Sequence, residues 1–96
     1  IDRGDIMTKS NNFVSESYIR AVMSQAEYDV IDGLFDKTTI VSAKMPNGFV
    51  IVASSSCVDP SNYDPEIGIK ICKKEIENKL WELEGYALAE RLYKGQ

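Results

Sequence analysis

"TTIVSAKMPNGFVIVASSS", residues 38–56, is the stretch that decides the fold. Two runs rich in β-branched residues flank Asn47-Gly48, the preferred pair for a two-residue hairpin turn, because both central residues need a positive φ that Asn tolerates and Gly adopts freely. A turn centred there pairs Met45 with Val50, Ala43 with Val52 and Val41 with Ser54 on one face. Lys44 then faces Ile51, Ser42 faces Ala53 and Ile40 faces Ser55 on the other. The first face is the more apolar and is expected to meet a helix. The second keeps Ile40, Phe49 and Ile51, and two strands alone make a marginal sheet, so a third strand or a second subunit is expected to cover the remainder.

C-terminal to the hairpin, Asp59-Pro60 ends the strand by removing a ladder donor, and Ser61 and Asn62 are turn residues. Asp64 then caps a helix whose first position, Pro65, needs no N–H, and Glu66 suits the positive end of its dipole. The helix is expected to run nearly to the chain end, supported by acid-first pairs such as Glu66 with Lys70 and Glu75 with Lys79. Ile69, Cys72, Ile76, Leu80, Leu83 and Ala87 form one apolar stripe, and Trp81, Leu88 and Leu92 a second. Straight, such a helix is too long for a compact chain of this size, so it either bends at Gly85 or projects and is covered by a second chain. A homodimer or higher homo-oligomer is expected, with Trp81, Gly85, Leu88 and Leu92 as candidate interface residues.

N-terminal to the hairpin, Ser15 caps a short helix over about residues 16–26, with Tyr18, Ile19, Val22, Met23 and Ala26 at helical spacing. Tyr28 to Phe35 reads two ways, with "YDVI" a short strand and Asp32-Gly33 a turn. The six residues before Met7 show no apolar pattern, so Met7 is expected to be the natural start and residues 1–13 a disordered tail. The fold class is therefore α+β: one domain over residues 14–94, with a short N-terminal helix, a β-hairpin with room for a third short strand, and a long C-terminal helix packed on the sheet.

Composition narrows the chemistry. A chain of 96 residues, 44% apolar and 27% charged, holds one core. The net charge of −4, with six basic against six acidic residues beyond position 64, opposes nonspecific nucleic-acid binding. No apolar run reaches the 18 or more residues of a membrane span. The chain has no His, which removes the commonest general base and the commonest metal ligand. Cys57 and Cys72 are not spaced as a metal knuckle and are read as two buried thiols. From Asp59, a calcium loop would need Gly at its sixth and Glu at its twelfth position, where Asp64 and Lys70 stand. No catalytic residue, metal site or cofactor is assigned. The groups left for a small ligand are Ser54, Ser55, Ser56, Tyr63, Lys70, Lys73 and Lys74.

The frame Asn47-Gly48-Phe49, then Ser55, Cys57, Val58 and Pro60, the step from Tyr63-Asp64 to Ile67-Gly68, and Trp81, Leu83, Gly85, Tyr86 and Leu88 resemble the gene product 49 and gene 66 family of small tailed-phage and prophage proteins. With "VSESYIRAVMSQAEY" the likeness covers about residues 14–93. The family's usual Gly-Glu before the serine is Ala53-Ser54 here, and its frequent proline after the tryptophan is Glu82, which favours an uninterrupted helix. The resemblance implies expression in the host bacterial cytoplasm and carries over no catalytic residue. It implies a non-enzymatic phage accessory protein that binds a host protein or a small nucleotide ligand and antagonises a defence or regulatory pathway. The alternative is a minor structural or assembly component of the particle.

Overall fold

The computed structural model describes residues 12–95. In chain order these form α1 (Glu16–Gln25), β1 (Glu27–Leu34), β2 (Thr38–Lys44), β3 (Val50–Ser56), a single 3-10 turn (Pro60–Asn62) and α2 (Pro65–Tyr93). The strands make one antiparallel sheet in the order β1-β2-β3, with α2 laid across β2 and β3. The α+β fold with a long C-terminal helix is as the sequence implies, and the third strand is present. The expected tail and the Met7 start lie outside the described residues, apart from positions 12 and 13.

The helix starts follow their local chemistry. Ser15 accepts from the Tyr18 amide at 3.1 Å, and Asp64 accepts from the Glu66 amide at 3.0 Å. Asp59 caps the 3-10 turn through the Ser61 amide, also at 3.0 Å, and those bonds hold its carboxyl below its ordinary pKa.

The hairpin register differs from the expected one by one residue. Lys44 pairs with Val50, Ala43 with Ile51, Ser42 with Val52, Val41 with Ala53 and Ile40 with Ser54. The cause is Pro46. A two-residue turn at Asn47-Gly48 would require the residue before it to donate its N–H to Phe49, and proline has none. Met45 donates instead, 2.7 Å from its nitrogen to the Phe49 oxygen, and the loop lengthens to Pro46-Asn47-Gly48 with the Gly48 amide on the Met45 oxygen at 2.8 Å. Gly48 takes φ +92°, while Asn47 stays out of the left-handed region. The slip turns β3 over. Ile51 and Ala53 face the helix, whereas Val50, Val52 and Ser54 are exposed on the outer face.

The turn into β2 also moves. Phe35 and Asp36, with φ 54° and 60°, are the central residues of a tight turn in the three-residue connection 35–37, closed by the Lys37 amide on the Leu34 oxygen at 3.1 Å. Asp32-Gly33, expected as the turn, lies inside β1, where Gly33 at φ +79° sits at a break in the register between Ile31 and Leu34.

The core joins Tyr18, Ile19 and Val22 of α1 and Val41, Ala43, Ile51 and Ala53 of the sheet to Cys72, Ile76 and Leu80 of α2. The buried row of α2 is Gly68, Cys72, Ile76, Leu80, Glu84 and Leu88, a strict four-residue spacing rather than the mixed stripe expected. Such a row is inclined to the helix axis and follows the twist of the sheet beneath it. Ile69 and Ala87 are therefore half-buried and Leu83 is exposed. Ion pairing is also displaced, with Lys74 and Glu77 at 3.8 Å in place of the expected Glu66–Lys70 and Glu75–Lys79 pairs.

Helix α2 does not break at Gly85. Its 29 residues run unbroken, about 43 Å at 1.5 Å per residue, and the structure extends 53 × 22 × 19 Å. Its radius of gyration of 16.0 Å exceeds the about 12.5 Å of a compact chain this long. Of the expected interface residues, Trp81 is half-buried against the core and Leu88 is buried within the chain. Gly85 and Leu92 are exposed.

Candidate functional site

Three short elements converge beside the hairpin loop. The C-terminal half of α1 supplies Val22 and Gln25, the loop supplies Met45, Pro46, Asn47 and Phe49, and the middle of α2 supplies Leu80, Leu83, Glu84 and Ala87. They enclose a groove of about 380 Å³, within the range of small-ligand sites. The three-residue loop sets Phe49 opposite Met45, and both line the groove. Glu84 lies at the inner end, 7% exposed, where its Oε2 accepts from the hydroxyl of the wholly buried Tyr18 at 3.2 Å. Burying that carboxyl group costs solvation, which its hydrogen bond from Tyr18 helps to offset. The remaining polar lining groups are the Gln25 and Asn47 amides, and no Lys or Arg is among the lining residues.

The residues expected to bind a small ligand are dispersed. Ser55, Ser56 and Tyr63 line a hollow of about 100 Å³ with Lys37, Cys57, Asp64, Ile67, Gly68 and Ile71. Within it the Tyr63 hydroxyl is committed to the fold. It accepts from the Gly33 amide at 2.9 Å, shares a hydrogen bond with Thr39 Oγ1 at 2.7 Å and donates to the Thr38 oxygen at 3.3 Å. Ser56 Oγ is bonded to Thr38 Oγ1 at 2.8 Å, and Ser54 is exposed on the outer face beside Ile40. Lys73 and Lys74 border a separate open depression with Glu16, Arg20, Tyr28 and Glu77. There Lys73 Nζ lies 4.4 Å from the Tyr28 ring centroid, a cation–π contact. Burial, together with the Glu77 charge, raises the Tyr28 pKa. Lys70 is exposed and lines none of these three hollows.

The thiols divide. Cys72 is buried, as expected, with burial first and the Glu75 charge second raising its pKa, while Cys57 is half-exposed. The expected burial of Cys57 fails because the chain leaves the sheet at that residue, where its Sγ reaches the Asp59 oxygen at 3.2 Å. Among the described residues no three His, Cys, Asp or Glu side chains gather as a metal site, and no helix is long and apolar enough to cross a membrane.

The groove residues were not singled out from the sequence. One signal was present: Glu84 falls four residues after Leu80 and four before Leu88, a carboxylate within an otherwise apolar row.

A three-stranded antiparallel sheet crossed by one long helix, with an apolar groove at the hairpin end, defines a small single-sheet α+β protein. Residues 8–92 match the phage protein (N4 Gp49/phage Sf6 gene 66) family, and the chain belongs to that family. No curated protein and no solved structure matches it.

Proposed function

We propose that this phage protein is a non-enzymatic accessory factor that binds a host protein through the groove between α1, the hairpin loop and α2, and so antagonises a bacterial defence or regulatory pathway. The observation that carries this reading is the chemistry of the groove: walls of Val22, Met45, Phe49, Leu80 and Leu83, a carboxylate at the inner end, amides at the rim and no cation among the lining residues. Apolar walls with a few placed polar groups suit the anchoring side chains of a protein segment. Sequestering a nucleotide signal is the other form of the same role, and it calls for cations around a phosphate. Lys73 and Lys74 lie away from the serines, beside Glu16 and Glu77, so the host-protein form is the stronger.

The test is affinity capture from infected host cells, with mass spectrometry of proteins and small molecules, using the unaltered chain beside Leu83→Glu and Ala87→Glu. A host protein retained by the unaltered chain and lost from both variants, with their folding intact, supports the reading. The same set captured by all three chains overturns it.

A second reading, a minor structural or assembly component of the particle, draws on the far end of α2, where Tyr86 is 71% and Tyr93 86% exposed. Finding the chain at fixed stoichiometry in purified particles would favour it.

A further inference from the structure

The two edges of the sheet are unlike. The β1 edge carries Glu27, Asp29 and Asp32 and is irregular between Ile31 and Leu34, features that discourage pairing with another strand. Residues 50–56 of β3, "VIVASSS", contain no charge and no proline, and their register with β2 is continuous. The Met45 amide on the Phe49 oxygen at one end, and the Cys57 amide on the Lys37 oxygen at 3.0 Å at the other, establish which residues face β2. In an antiparallel ladder the alternate residues then direct their N–H and C=O away from the sheet. In β3 these are Val50, Val52, Ser54 and Ser56, and no described residue bonds their backbone groups on that side.

The surroundings of this edge are also apolar. On the helix side, Ile67 and Ile71 are 55% and 44% exposed and border the hollow shared with Ser55 and Ser56. On the outer side, Val50 and Val52 are 51% and 56% exposed.

We propose that β3 pairs antiparallel with β3 of a second copy, joining two three-stranded sheets into one of six strands. The occupant follows from the edge itself. About a two-fold axis beside Ala53, Val50 meets Ser56 and Val52 meets Ser54, no like charges oppose each other, and about eight backbone hydrogen bonds form between groups that otherwise face solvent. The axis stands perpendicular to the sheet, so both α2 helices lie on one side with Ile67 and Ile71 at their facing flanks. On the other side Val50 and Val52 of each copy lie opposite Ser56 and Ser54 of the other, and the two Val52 side chains become diagonal neighbours across the axis. The acidic, irregular β1 edge ends the assembly on either side, which makes it a closed pair rather than a filament. The interface therefore lies on β3, not around Trp81, Gly85, Leu88 and Leu92. A seven-residue edge buries less than the about 800 Å² per partner of a standard interface, so the dimer dissociates on dilution.

Sedimentation equilibrium across a concentration series, together with amide hydrogen exchange on the unaltered chain, tests this. The expected result is a mass approaching twice 10.8 kDa at high concentration, with the Val52, Ser54 and Ser56 amides protected there and exchanging at least ten-fold faster on dilution. Val52→Pro removes an N–H that the β2 ladder does not use, and it shifts the mass to that of the monomer. Should that variant not fold, exchange in the unaltered chain decides. A monomeric mass at the highest concentration overturns the proposal, and so does a dimer whose Val52, Ser54 and Ser56 amides exchange freely.

Discussion

Gly68 of α2 lies so close to Thr39 of β2 that a β-carbon on it would fall 2.5 Å from Thr39 Oγ1 and 3.0 Å from Thr39 Cβ. Thr39 is wholly buried, and its hydroxyl is fixed by Tyr63 at 2.7 Å, so it has little freedom to retreat. The step from Tyr63-Asp64 to Ile67-Gly68 is thus the joint at which helix meets sheet. Tyr63 binds the strands, Asp64 starts the helix, and the absent side chain of Gly68 sets the distance between the two.

Gly68→Ala is expected to destabilise by about 1–3 kcal/mol through overpacking, despite alanine's better helix propensity. Gly85→Ala on the same helix, where nothing lies within 4 Å of the added carbon, should stabilise by about 1 kcal/mol. Urea unfolding midpoints of the two variants should therefore move in opposite directions.

Tyr63→Phe removes a hydroxyl with three partners and leaves the buried Thr39 hydroxyl without its donor or acceptor. A loss of about 1–3 kcal/mol is expected. Faster exchange of the Gly33 amide would accompany it, which separates loss of this clamp from a general loosening of the core.

Phe35 and Asp36 both hold positive φ in the first turn, and Phe35 is 88% exposed. A bulky residue in the left-handed region carries strain that no core contact repays. Replacing the pair by Asn-Gly should raise stability by about 1–2 kcal/mol, read as a higher thermal midpoint.

The thiols should separate by reactivity. A thiol reagent at neutral pH is expected to label half-exposed Cys57 in the folded protein and to reach Cys72 only on unfolding. The Cys72 pKa is raised in the fold, so the protonated thiol is the form the fold favours. Its contribution to stability is complete below the unfolded thiol's pKa of about 8.5 and is lost as pH rises from there through the folded value. Stability should fall more steeply above that pH than in Cys72→Ala, as denaturant midpoints across pH 8–10 would record.

Local chemistry alone determined both helix starts, the order of short helix, hairpin and long helix, and the neighbourhood of the hairpin loop, while β1 stayed open between a short strand and a turn. Ser15, Asp64-Pro65 and Asn47-Gly48 act through caps, missing donors and allowed dihedrals, all of which operate within four residues of chain. Tertiary structure decided which faces β3 and α2 bury, whereas α1 and β2 bury the faces their spacing implies. The register of β3 depended on a single absent N–H at Pro46, and one residue of slip exchanged Val50 and Val52 for Ile51 and Ala53 against the helix. The burial of Glu84 and Leu88 depended on the path of α2 across a twisted sheet, which no local pattern contains. The separation of Lys73 and Lys74 from the serines has the same origin. Residues close in sequence were carried to different sides of one helix, and the groove was assembled from α1, the loop and α2, which meet only once the chain has folded.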